Sequence, residues 1–379
     1  MPVTVRSFAK INLGLGIGAL RGDGFHELRT VYQTIALHDI IRVSVERGSG
    51  IEIRCEDSRV PCDQSNTCYR MVELALSALK VRGRVVIEIE KRLPVQGGLG
   101  GASGNAVAAL LALERALKKR LSGPERLRIA AEVGSDVPLF LVGGTVLGVG
   151  HGEEVYPVPD LPAIACVVAT PEIGVSTPKA FADWDLLVAS GPQGLKPGSF
   201  GAANGTAEAV PSRETNRIEV LPSRKTNRIE AVPFPAKLTR SASSDRMVEF
   251  GRVLSAWLIS LSQIKDKTGQ ASSGVPVSKG RGRAETPLLD LVRTGIENDF
   301  ERVVFPKYPE LREVKSVLEG AGAVYASLSG SGSATYGLFA SREAAAKAAA
   351  RLRKTGVPAT ATTTLTRPQY WKKIFDCRF

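Results

Sequence analysis

Two polar residues, Lys10 and Asn12, interrupt an apolar, strand-like stretch near the start of this 379-residue chain. Lysine is uncommon on a half-buried strand. It is either an edge residue whose ammonium snorkels to water or a group placed for chemistry. Asp136, in Gly134-Ser-Asp-Val-Pro, lies between a helical pattern and an apolar run, where a carboxylate either caps a turn or acts as a base. Together such a pair can deprotonate an alcohol: the carboxylate takes the proton, and the ammonium holds the charge on alkoxide or phosphate.

The run Gly97-Gly98-Leu99-Gly100-Gly101-Ala102-Ser103-Gly104, after Pro94 and before an Ala/Leu-rich helical pattern, has the makings of a phosphate cradle. Glycines let the backbone approach an oxyanion, and the helix N-terminus adds a favourable dipole. No Gly-Lys-Ser/Thr closes it, so it is not a Walker A loop, and the alternative is a plain glycine-rich turn. Phe25-His26, after the Asp23-Gly24 turn, offers a ring for stacking and an imidazole for hydrogen bonding. Phe181 is core or a second stacking face. Ser329-Gly330-Ser331-Gly332-Ser333 is a flexible linker or a second backbone nest, and the apolar strands on both sides favour the nest.

These residues need a scaffold, and the composition supplies one. With 43% hydrophobic and 23% charged residues the chain can bury a core, and its length favours two domains. Short apolar runs at Ile11–Ile17, Val31–Leu37 and Ile40–Val45 read as strands, broken by the turn Arg21–Gly24. Helical spacing follows at 71–79, a strand at 85–89, then helices at 105–119 and 124–133 and a buried stretch at 139–142. The strand 164–169 opens a second domain. There the pattern predicts a helix from Leu288 through Phe300, another at 309–319, strands at 324–339, a helix at 341–354 and a strand at 359–365. The pattern as a whole is α+β, divided at about residue 160.

The formal charge of +12 favours anionic partners, but no basic run or aromatic-interleaved stripe points to nucleic acid. No apolar stretch is long enough to span a membrane. The apolar segment at Ile11–Leu20 is diluted by Asn12 and three glycines and lacks a cleavage site, so it does not read as a signal peptide. Five cysteines without a C-x-x-C pair fit neither a disulfide framework nor a zinc site, which predicts a reducing, cytoplasmic setting. Three histidines without ligand spacing argue likewise against zinc.

Phe8-Ala-Lys-Ile-Asn-Leu-Gly-Leu with Arg21-x-Asp-Gly-Phe-His-Glu-Leu, the loop Pro94–Ala106, Gly134-Ser-Asp-Val-Pro, and Asn298-Asp with Ser329–Ser333 resemble the three motifs of the GHMP kinases. Within that family the aromatic-His step resembles the 4-diphosphocytidyl-2-C-methyl-D-erythritol kinases, which use it for cytidine. The resemblance covers the chain apart from residues 190–286. It implies a two-domain GHMP kinase fold, with a ribosomal protein S5 domain 2-like N-terminal domain (1–160) and a ferredoxin-like C-terminal domain (161–379). It also implies ATP-dependent phosphorylation of the 2-hydroxyl of a cytidine diphosphate-linked methylerythritol in the non-mevalonate isoprenoid pathway, with Mg²⁺ bridging phosphates on protein ligands left open. Asp136 matches the catalytic base and Lys10 its partner. Asn12, Phe25, His26 and Phe181 match the substrate pocket. Pro94, Gly97, Gly98, Leu99, Gly100, Gly101, Ala102, Ser103 and Gly104, with Gly330, Ser331, Gly332 and Ser333, match the ATP motifs. Ala102 departs from the family's usual glycine and Gly104 from a common serine, a change that weakens ATP binding if position 102 needs a positive φ. The alternatives are a kinase for another small alcohol, against which the Phe25-His26 pair argues, and a nucleotide sensor without catalysis, against which Lys10 and Asp136 argue.

Residues 190–286 are rich in Ser, Gly, Pro and Ala and contain an eleven-residue duplication, Val210-PSRETNRIEV against Leu221-PSRKTNRIEA. Two short polar copies cannot stack into a solenoid, so the segment is expected to be a disordered insertion, apart from an amphipathic helix at 245–263. Deleting residues 192–240 is expected to leave kcat and Tm nearly unchanged. A tenfold loss of activity in the soluble deletion protein would show that the segment serves the reaction.

Overall fold

The computed structural model describes residues 1–95, 97–190 and 297–376. The duplicated segment, the helix expected at 245–263 and most of the one expected from Leu288 lie outside the described residues.

Strands β1 (Val3–Leu20) and β2 (His26–Glu46) form one long antiparallel hairpin. The two runs expected within 31–45 are continuous in β2, because a register shift between Phe8/His38 and Ala9/Ile35 takes up the break between them. The first sheet runs β3 (Gly50–Cys55), β4 (Arg84–Glu90), β2, β5 (Thr145–Val149) and β6 (Glu154–Pro157), with β1 paired to β2. Helix α1 (Thr67–Leu79) connects the parallel pair β3 and β4. It packs on the sheet with α2 (Gly101–Leu117), α3 (Gly123–Val133) and the short α4 (Leu139–Val142).

The second sheet is antiparallel, in the order β10-β7-β9-β8. Its strands are β7 (Ala165–Ala169), β8 (Tyr325–Leu328), β9 (Thr335–Phe339) and β10 (Ala359–Thr363). Helices α5 (Thr177–Ser190), α6 (Glu301–Lys307) and α7 (Pro309–Gly320) fall between β7 and β8, and α8 (Arg342–Lys354) between β9 and β10. That succession and strand order are ferredoxin-like. A last helix, α9 (Arg367–Ile374), returns to the first sheet. Its Tyr370 hydroxyl donates to the Phe140 carbonyl at 2.7 Å, and its Trp371 indole N–H to that of Val142 at 3.0 Å.

Side chains alternate along β1, so Ala9, Ile11 and Leu13 pack against Val168, Tyr336 and Leu338 of the second sheet. Phe8, Lys10 and Asn12 point the opposite way, where Phe8 joins the core beneath α2. The edge of β1 that does not pair with β2 is covered piecemeal. Lys10 N–H donates to Leu99 O at 2.9 Å, Leu15 N–H to Glu297 O at 3.0 Å, and Asp299 N–H to Leu15 O at 2.9 Å. Residues 297–300, expected to be helical, therefore lie along β1 through a bridge between Leu15 and Asn298, and the helix begins at Glu301. Backbone pairing with an open strand edge outweighs local helix propensity here.

Helix α2 starts at Gly101, four residues before the start expected from the sequence, so half of the glycine run is its first turn. Gly98 and Gly100 adopt left-handed φ of 72° and 68°. A Cβ on Gly98 would lie 2.1 Å from the Ser329 carbonyl oxygen, and one on Gly104 would lie 2.9 Å from that of Phe8. Gly104 is thus a helix–strand contact point. Ala102 is exposed on the first turn of α2, and the only described non-glycine residues with positive φ are Lys80 and Lys118. The condition under which Ala102 would disturb the loop is therefore not met. Gly98→Ala is expected to cost roughly 2–4 kcal/mol, from a positive φ combined with a backbone clash. Ala102→Gly should cost only about 0.5–1 kcal/mol, the helix-propensity difference. Urea denaturation of both variants checks this, and equal midpoints would contradict the wedged loop.

Candidate active site

The Lys10 side chain is 3% exposed. It donates to Asn12 Oδ1 at 2.7 Å and lies 3.2 Å from Asp136 Oδ2. It therefore does not snorkel. Asn12 is fixed in turn: its amide donates to Thr30 Oγ1 at 2.8 Å, whose hydroxyl donates to Gly14 O at 2.8 Å, and the Tyr336 hydroxyl donates to Asn12 O at 2.7 Å. Asp136 sits in the turn 134–137, closed by Val137 N–H to Gly134 O at 3.1 Å. Its carboxylate bonds away from that turn, accepting at Oδ1 from the Tyr32 hydroxyl at 2.9 Å, so the capping alternative falls. Burial, and secondarily the Asp136 carboxylate, push the Tyr32 phenol well above its ordinary range. Tyr32 consequently stays a donor at any physiological pH.

This group opens into a cleft of about 720 Å³ whose far end is aromatic. Phe25, 55% exposed, rests on the His151 ring at 4.9 Å. His26 is buried, with Nδ1 at 3.2 Å from Gly18 O and Nε2 at 3.2 Å from Asp185 Oδ1. Phe181 stacks on His26 at 5.2 Å with the rings 4° from parallel, and meets Phe300 edge-on at 4.9 Å. Phe181 thus belongs both to the core and to the wall of the cleft.

A smaller pocket of about 310 Å³ lies across the glycine run and is lined by Pro94, Gly97, Gly98, Leu99, Gly100, Gly101, Ala102, Ser103 and Asn105, with Arg59–Pro61 and Asn66 opposite. Beneath it a buried carboxylate, Asp39, accepts from Lys91 Nζ, Arg92 N–H and Leu93 N–H at 2.7 Å each and from Asn105 Nδ2 at 3.0 Å. Four donors compensate its desolvation and fix the strand-to-loop crossing. Gly98 and Ser103 line both the pocket and the cleft.

The Ser329–Ser333 run is a tight buried turn, not a linker. Asn298 donates both amide hydrogens into it, to Leu328 O and Gly330 O at 2.8 Å each, and Ser329 Oγ donates to Gly98 O at 2.9 Å. Gly330 and Ser331 face the larger cleft, whereas Gly104, Gly332 and Ser333 line neither cavity. The structure also brings in residues that the sequence pattern did not single out: Tyr32, Asp39, Thr30 and His151. Tyr32 faces Asn12 across the hairpin, so strand register could have found it. Asp39 and His151 carry no local signal.

Residues 66–144 match the family description "GHMP kinases N terminal domain" and residues 285–358 match "GHMP kinases C terminal". A 4-diphosphocytidyl-2-C-methyl-D-erythritol kinase from Solibacter usitatus is 32% identical over 340 residues, which cover 90% of this chain and 82% of that protein. The crystal structure of a 4-(cytidine 5'-diphospho)-2C-methyl-D-erythritol kinase is similar, with a TM-score of 0.61 at 26% identity over 95% of this chain and 98% of that one. A homoserine kinase from Cytophaga hutchinsonii shares the fold, with a TM-score of 0.63 at 17% identity over 96% of this chain and 95% of that one. The chain belongs to the GHMP kinases, in the family of the 4-diphosphocytidyl-2-C-methyl-D-erythritol kinases.

Proposed function

We propose that this kinase transfers the γ-phosphoryl group of ATP to the 2-hydroxyl of 4-diphosphocytidyl-2-C-methyl-D-erythritol, in the non-mevalonate route to isoprenoid precursors. In this reading the cytosine lies at the aromatic end of the larger cleft, among Phe25, His26 and Phe181. The methylerythritol lies beside Lys10, Asn12 and Asp136. ATP occupies the smaller pocket, its phosphates over the backbone of residues 97–103 and the N-terminus of α2. The observation that carries the reading is that Gly98 and Ser103 line both cavities, so a phosphoryl group held there reaches the Lys10–Asp136 pair through protein-lined space.

The reaction then proceeds with few moving parts. Asp136 Oδ2 accepts the hydroxyl proton while Tyr32 holds Oδ1, and Lys10 stabilises the negative charge that grows between alkoxide and phosphoryl oxygens. ADP leaves with the bridging electrons, and the proton remains on Asp136 until solvent takes it. The described residues contain no cluster of three or more His, Cys, Asp or Glu side chains suited to a metal. A Mg²⁺ ion brought in by the nucleotide would neutralise phosphate charge.

A coupled ADP-release assay comparing the cytidine-linked substrate with mevalonate and homoserine tests the assignment, and preference for either of the latter would overturn it. Asp136→Asn keeps the shape of the base and removes its proton affinity, so kcat should fall by roughly 10²–10⁴ with both substrates still bound by calorimetry. Because Lys10 acts on the same transfer, the Lys10→Ala, Asp136→Asn double variant should be far less impaired than the product of the two single defects. Near-wild-type turnover in Asp136→Asn would rule the residue out as the base.

A further inference from the structure

The cleft has a middle as well as two ends, and its wall there is His151. The residue sits in the turn between β5 and β6, where the His151 N–H donates to Glu153 Oε2 at 2.8 Å. The ring is gripped on one nitrogen: Nδ1 lies 2.9 Å from Glu153 Oε2 and 3.2 Å from Ser135 Oγ. Nε2 has no partner among the described residues. One face of the ring lies under Phe25, at the aromatic end, while Ser135 is the chain neighbour of Asp136, at the other end. The turn packs closely on Tyr32: a Cβ on Gly152 would lie 2.6 Å from the Tyr32 hydroxyl, the same hydroxyl that holds Asp136.

Among the described residues lining the cleft, the basic ones are Lys10, His26 and His151. Lys10 is engaged by Asn12 and Asp136, and His26 by Gly18 and Asp185. A substrate that joins a nucleobase to a sugar alcohol through a diphosphate must place two negatively charged phosphates between the two ends, in contact with this wall. Resting on the function proposed above, we infer that His151 is the diphosphate-recognition residue of the cleft: Glu153 and Ser135 hold the ring through Nδ1, and its Nε2 edge is presented to the phosphate oxygens.

The test separates diphosphate contact from support of the Phe25 ring. Calorimetry on the full chain measures the affinity of cytidine and of cytidine 5'-diphosphate for wild type, His151→Gln and His151→Arg. The gap between the two ligands should shrink about 5- to 20-fold in His151→Gln, the loss of one charge-assisted hydrogen bond. Cytidine itself should move less than twofold, His151→Arg should restore most of the gap, and KM for the cytidine-linked substrate should follow the diphosphate. Equal weakening of both ligands would make His151 a prop for Phe25 and overturn the inference, as would an unchanged gap. Wild-type protein that fails to phosphorylate the cytidine-linked substrate would overturn the underlying function and this inference with it. Normal turnover with an unchanged gap would overturn this inference alone.

Discussion

A primary ammonium taken out of water on a β-strand costs on the order of several kcal/mol unless acceptors meet it, and Lys10 is placed in that position. Its acceptors come from two segments, Asn12 on its own strand and Asp136 from the turn between α3 and α4. The backbone of the same residue receives the glycine run at Leu99. Each of these is braced by another element: Asn12 by Thr30 and Tyr336, Asp136 by Tyr32, and the glycine run by Ser329. The two sheets therefore meet around this charge, its acceptors drawn from the first domain and part of their bracing from the second. Aliphatic packing of Ala9, Ile11 and Leu13 on the reverse face of β1 holds that strand in place.

Strand periodicity around Lys10 and the glycine run before α2 were legible because both signals are local. The start of α2 was not. Its first turn carries two glycines, Gly101 and Gly104, of poor helix propensity, and it forms because Gly104 must seat against Phe8 and because Thr67 Oγ1 donates to Ala102 O at 2.7 Å, contacts set by tertiary packing. Residues 297–300 show the same override in reverse, since an open strand edge claims a segment that could have coiled. Tyr32 lies 104 residues from Asp136 in sequence, and a tyrosine among apolar strand residues announces only that its ring is buried. Helix α9, by contrast, carries a recognisable local signature. Thr366 caps it, Gln369 returns the bond to the Thr366 N–H, and a proline stands in its first turn.

The contacts that bring the phosphate loop to its neighbours are made largely by backbone. Gly98 meets the Ser329 carbonyl, Gly104 meets the Phe8 carbonyl, and Ala334 N–H donates to Gly97 O at 3.1 Å. Such contacts tolerate wide variation in surrounding side chains but hardly any added carbon at the contact point itself. Substitution at Ala102 can therefore be silent while its neighbours are constrained, since Ala102 is the position of the run that looks outward.

Helix α9 completes the core of the first sheet by laying Tyr370 over Phe8 and filling the space against Gly143, where a Cβ would lie 2.3 Å from its ring. A ribosome emits Phe8 first and Tyr370 more than three hundred and fifty residues later, at about 5–20 residues per second. During synthesis the first sheet therefore waits, for a time on the order of tens of seconds, with an apolar groove open to whatever else is nearby. The order of emergence makes nascent chains of this architecture natural clients for holding factors at the exit tunnel. It also places quality control at the far end of the message, because a ribosome that stalls before residue 370 releases a chain whose first domain is still uncovered.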